Sequence, residues 1–140
     1  MKKLLALALL TFGIVFGTTA SGNKVSVEAR AANISSQMIK ELRLNNYQAN
    51  KVKEINLAVI AKIAAIEKAY AGNAELIEQK CKEARAERDL ALEDILSTAQ
   101  YSNYFGNRKA YTQADKAYVA NAGQATEKAA DLRASLSSTK

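Results

Sequence analysis

Leu44-Asn45-Asn46-Tyr47-Gln48 and Leu96-Ser97-Thr98-Ala99-Gln100 are the two stretches on which the reading of this 140-residue chain turns. They lie 52 residues apart, and each runs leucine, helix-capping side chain, two free positions, glutamine. That is a capping box with an apolar residue ahead of it. The Asn or Ser side chain accepts from an early helical N–H, and the glutamine reaches back to the N–H of the cap itself. Loss of such a cap costs about 0.5–2 kcal/mol. Leu44, Asn45, Gln48, Leu96, Ser97 and Gln100 therefore mark the starts of two similar helices.

Apolar spacing around the boxes predicts helices throughout. Ala31, Ile34, Met38, Ile39 and Leu42 recur at helical intervals and predict a first helix over about 27–43. After the Asn45 cap, Val52, Ile55, Val59, Ile63, Ile66 and Tyr70 form one stripe, widened by Ile60. Gly72-Asn73 interrupts it: glycine can end one helix and asparagine cap the next, although a lone glycine inside a continuous helix costs only about 1 kcal/mol. A third helix is expected over about 74–96, with Ile77, Cys81, Ala84, Ala91 or Leu92, and Ile95 facing inward. Glu78 with Lys82 and Arg85 with Asp89 are spaced as surface ion pairs along it. Ser97 opens a fourth helix reaching about residue 118 or 121, with Gly106 as its weak point. The fold class is thus all-α: elongated antiparallel hairpins of about four helices.

The ends of the chain read differently. Lys2 and Lys3 precede an apolar run from Leu4 to Phe16, and Thr18-Thr19-Ala20 offers a cleavage site. Residues 1–20 are expected to be a cleaved secretory signal peptide, with an uncleaved anchor as the alternative. Residues 21–122 form the helical domain, and 123–140, rich in Ala, Ser and Thr, a flexible or frayed tail. The signal points to the bacterial periplasm, with no stable membrane anchor after cleavage.

Composition excludes much. The chain has no proline, tryptophan or histidine, which suits helices. One cysteine, Cys81, cannot form an internal disulfide; it is either a small core residue or a bridge to a second copy. Without histidine, zinc, haem and copper sites and nucleophile–histidine arrangements are not expected. No glycine-rich phosphate loop is present. The expectation is a protein that is not an enzyme and takes no cofactor or metal. Losing Lys2 and Lys3 lowers the formal net charge from +6 to +4, which does not call for nucleic acid. Charge is uneven: 75–94 is acidic between two basic flanks, which favours packing the third helix antiparallel to the second or fourth.

The most unusual surface is aromatic. Tyr101, Tyr104, Tyr111 and Tyr118 fall on one helical face, flanked by Phe105, Arg108, Lys109 and Lys116. Such a stripe packs into a core or serves as an adhesive face, since tyrosine combines apolar area with a polar tip. The apolar stripes are also wide for so small a chain, which argues for a homodimer.

A signal peptide, an all-helical chain of this size and two Leu-Thr-x-x-Gln-like boxes about fifty residues apart resemble the Spy/CpxP family of periplasmic stress proteins. Here Asn45 and Ser97 stand in the threonine positions and keep the capping chemistry. The resemblance covers about residues 29–118. It implies a curved dimeric cradle and ATP-independent chaperone or envelope-stress activity toward unfolded or partly folded envelope proteins. The metal-sensing relatives use histidines, which this chain lacks. From periodicity, the expected client contacts are Tyr101, Tyr104, Phe105, Arg108 and Tyr111, with Ile55, Val59 and Ile63 as a second patch. The competing expectation is a structural coiled-coil adaptor for one envelope partner.

Overall fold

A computed structural model describes the backbone of residues 25–137 and the side chains of residues 25–124. The expected signal peptide lies outside the described residues, as do residues 138–140 of the tail. Five helices follow one another: α1 (Val27–Leu42), α2 (Asn46–Ala69), α3 (Ala74–Glu93), α4 (Thr98–Gly106) and α5 (Arg108–Ser137). Short connections make α1, α2, α3 and the α4–α5 pair successively antiparallel. α2 packs against both α1 and α3, while α4 lies between α1 and α3 and α5 continues along α1. The described chain is an up–down bundle whose fourth member is the α4–α5 pair.

Each boundary has a local cause. Ser26 Oγ accepts from Ala29 N–H at 3.1 Å and starts α1. Arg43, in the left-handed region at φ 51°, ends it, and Leu44 N–H donates to Ile39 O at 3.1 Å. Of the two sequence readings at Gly72, the break holds. Gly72 sits at φ 89°, and Asn73 Oδ1 accepts from Leu76 N–H at 3.1 Å to open α3.

The fourth helix differs from expectation. It kinks at Asn107 (φ −103°, ψ 9°), one residue after the weak point Gly106, and becomes α4 and α5. Asn107 Nδ2 donates back to Asn103 O at 2.9 Å, a local bond that competes with the regular ladder. α5 then runs past Gly123 to Ser137.

The core holds Ile34 and Met38 of α1, Val52 and Ile60 of α2, Leu92 of α3, and Tyr104 and Tyr111 of α4 and α5. Burying each such side chain contributes about 1.5–3 kcal/mol. Because α4 and α5 cover the other helices, the protomer conceals its own stripes. The width of those stripes therefore no longer argues for a second copy. Cys81 belongs to this core at 1% exposure, so its thiol faces into the protomer and not toward a partner.

Charges follow the uneven distribution along the chain. Acidic α3 is tied to its basic neighbours by Lys62–Glu87 from α2, Arg108–Asp89 at 2.9 Å and Lys116–Glu78 at 3.1 Å from α5. The expected pairs Glu78–Lys82 and Arg85–Asp89 give way to these and to Arg85–Glu78 at 3.0 Å. Asp89 and Glu78 thus find cations on α5, while Arg85 reaches back two turns along α3 to Glu78.

The two boxes meet. Both close as reciprocal capping boxes: Gln48 N–H donates to Asn45 Oδ1 (2.9 Å) and Gln100 N–H to Ser97 Oγ (3.2 Å), while each glutamine Oε1 accepts from its own cap's N–H. The two glutamines then pair with each other, Gln48 Nε2 to Gln100 Oε1 at 2.7 Å and Gln100 Nε2 to Gln48 Oε1 at 3.2 Å. Gln48 Nε2 also donates to Ile95 O (3.2 Å), and Gln100 Nε2 to Leu42 O (3.3 Å). This clasp ties the α1–α2 turn to the α3–α4 turn. Gln100→Ala should lower stability in urea by about 2 kcal/mol, combining a lost cap with stranded partners. Gln100→Glu should cost nearly as much, because a carboxylate still caps but cannot donate to Leu42 O. A Glu variant as stable as the parent would show that the cap alone matters.

Candidate functional site

The outer face where α3 meets α4 gathers the exposed apolar residues nearest to the aromatic stripe. Glu93, Leu96, Thr98, Tyr101, Ser102 and Phe105 line an open groove of about 370 Å³. Phe105 is 44% exposed. Leu90, one turn before Glu93 on α3, is 68% exposed. Tyr101 is half-buried, its ring 5.8 Å from that of Phe105.

Cations and carboxylates frame this groove. The Arg108 guanidinium lies over the Phe105 ring, 3.3 Å from its centroid. Its Nε donates to Phe105 O at 3.0 Å and its Nη1 to Asp89 Oδ2 at 2.9 Å. Asp89 Oδ1 in turn accepts from Tyr104 Oη at 2.6 Å, and Tyr104 Oη accepts from Arg88 Nε at 3.1 Å. The chain of contacts fixes Arg108 flat against Phe105, an arrangement that stabilises by cation–π attraction and presents a mixed apolar and cationic surface.

The expected client face divides along this line. Tyr101, Phe105 and Arg108 reach the surface in part or in full. Tyr104 and Tyr111 do not: they are 0% and 2% exposed and stack on each other at 5.9 Å. Both rings face the interior, Tyr104 from α4 and Tyr111 from α5, so they are core and not contact residues. The second patch fails for a related reason. α1 and α3 flank α2 on both sides, so Val59 and Ile63 are buried and Ile55 packs half-buried against the core. The six box residues sit at the clasp and serve the fold.

Several residues that matter here lie off the expected pattern. Leu90 falls outside the inward stripe Cys81, Ala84, Arg88 and Leu92, which marks it as an apolar residue facing water. Arg88 sits on that inward stripe, and its spacing from Ala84 and Leu92 signals a buried guanidinium. Nothing local signals the triad at the far end of the bundle, where Arg30 donates to Asp115 Oδ1 (3.1 Å) and Oδ2 (2.7 Å) and to Glu67 Oε2 (2.8 Å).

Burial pushes both the Tyr104 and Tyr111 phenols well above their ordinary value, with Asp89 and Glu41 respectively adding to the effect. The folded state thus holds these protons more tightly than the unfolded chain does. The stability concerned is intact below about pH 10 and falls as pH rises beyond it, by roughly 1.4 kcal/mol per tyrosine and pH unit until the folded values are reached. Phenolate absorbance should show these two tyrosines ionising only together with loss of helix. Full ionisation with the helical signal intact would contradict the burial.

Among the described residues no group of His, Cys, Asp and Glu side chains is placed to hold a metal ion, and no helix is long and apolar enough to cross a membrane. No curated protein and no solved structure matches the chain. A family model does match, over residues 17–104, and so takes in both boxes, α1 to α3 and α4 as far as Tyr104. The clasped pair of capping boxes is therefore inside the matched region, and the chain belongs to the family described as a domain of unknown function, DUF4890.

Proposed function

We propose that this chain is an ATP-independent periplasmic chaperone, akin to the Spy/CpxP family, that binds unfolded or partly folded envelope proteins at the α3–α4 face. The observation that carries the reading is exposed Phe105 in an open groove, under a guanidinium held by Asp89, with exposed Leu90 one turn before the groove residue Glu93 on α3. Apolar area of this modest size binds extended chains weakly and reversibly, and the flanking cation favours acidic segments. Preferential binding to the unfolded state shifts populations by mass action and needs no nucleotide. The Lys2-Lys3 and Leu4–Phe16 pattern supports export, and the paired boxes support kinship with envelope-stress proteins. The reading assigns the chain no catalysis and no cofactor.

The test is light scattering of a chemically unfolded, aggregating model protein without ATP. The mature chain should suppress aggregation at an equimolar ratio. Leu90→Ser combined with Phe105→Ser, both at exposed positions and so leaving helicity intact, should raise the amount needed about threefold or more, since two apolar contacts are lost. Absence of suppression at several-fold excess would sink the chaperone reading and favour an adaptor for one envelope partner.

A further inference from the structure

α5 occupies a place that the rest of the bundle leaves for it. α1 and α3 both pack on α2 without approaching each other closely, and α4 and α5 lie in the gap. The family match ends at Tyr104, before α5 begins, whereas both walls of the gap fall inside the matched region. Among its described residues, α5 places Tyr111 and Asp115 in the interior, and Arg108 at its start pairs with Asp89. Tyr111 stacks on Tyr104 beside Glu41, and Asp115 forms the two-pronged contact with Arg30. Lys116 meets Glu78, a pair exposed at both ends and hence weak.

The seat is not a perfect fit. The Tyr111 hydroxyl is buried without a hydrogen bond of normal geometry. The connection to α4 is the kink at Gly106 and Asn107, where helical continuity is weakest. Among the described residues of α5, the two that are buried are thus an aromatic residue and, four positions later, a carboxylate. Residues four apart share a helical face, so any amphipathic helix with that pair can present it in the same way.

We propose that the gap between α1 and α3 is a receptor groove for an amphipathic helical segment of a client carrying an aromatic residue followed four positions later by Asp or Glu, and that α5 is its resident competitor. The inference rests on the chaperone reading and specifies a second contact for the client. Arg30, which keeps Glu67 as a partner when α5 leaves, selects the carboxylate. The apolar floor beneath Tyr104 and Tyr111 selects the ring.

The test uses the mature chain and a fluorescent synthetic peptide of its own residues 107–124, with binding followed by anisotropy. Lys116→Glu places a negative charge beside Glu78 and should loosen α5, seen as faster amide exchange there, and raise peptide affinity about fivefold or more. The same peptide with Asp115→Asn should bind about tenfold more weakly. Should exchange in α5 not respond, a protein with Tyr111→Ala and Asp115→Asn, which removes the retaining pair itself, takes its place. Equal peptide affinity for the loosened and parent proteins, or for the two peptides, overturns the groove. Peptide binding without suppression of aggregation would sink the chaperone reading and leave the groove standing. Suppression without peptide binding would do the reverse.

Discussion

Replacing Arg30 with alanine is expected to lower the free energy of unfolding by about 3–5 kcal/mol. The side chain is 5% exposed and bonds two carboxylates, one from α2 and one from α5. Removing it leaves Asp115, itself buried, with its charge uncompensated in a low-dielectric setting. Glu67 is half in solvent and suffers less. The cost should fall on the α5 side, so amide exchange in α5 should quicken before the rest of the bundle responds. A double-mutant cycle with Asp115→Leu isolates the pair. Arg30→Met with Asp115→Leu should recover most of the loss, because two apolar side chains can occupy such a site about as stably as the ion pair. Urea unfolding of the four proteins gives the coupling energy.

Tyr104→Ala should cost a similar amount, about 3–5 kcal/mol, because an aromatic ring with no exposed surface is removed from the meeting point of α3, α4 and α5. Its ring stacks on Tyr111, and its hydroxyl relays between Arg88 and Asp89. Tyr104→Phe separates these roles. It keeps the ring and removes only the oxygen, stranding Arg88 Nε, and should cost about 1–3 kcal/mol. It should also free Asp89 and relax the hold on Arg108, so the Phe variant is expected to weaken aggregation suppression somewhat while melting only moderately earlier. A Phe variant of parental stability would show that the relay is water-exposed and dispensable.

The helical plan was legible because the signals were local. The two capping boxes, the Gly72-Asn73 break and the 3.6-residue spacing of Ile34, Met38 and Leu42 each act within one or two turns, and the structure has helices beginning and ending there. Legibility ended where distant segments meet. Capping chemistry foretold that Gln48 and Gln100 would start helices, but not that their amides would pair across the bundle. The aromatic stripe was found by spacing, yet spacing cannot say which side of a helix is covered. Tyr104 and Tyr111, seven residues apart on one face, point inward together, whereas the neighbouring Phe105 stays outside. Spacing places Ile55, Val59 and Ile63 on one face of α2, but only the assembled bundle shows that α1 and α3 cover it. Arg30, Glu67 and Asp115 are 37 and 85 residues apart along the chain, and no pattern within a helix links them.

The most direct test of the account is an amide chemical-shift titration of the isotopically labelled mature chain with a permanently unfolded, soluble client. Shifts concentrated at Leu90, Tyr101, Phe105 and Arg108, which grow with client concentration and vanish when the client is folded, are the predicted result. Shifts absent everywhere, or equally large with the folded client, would contradict it.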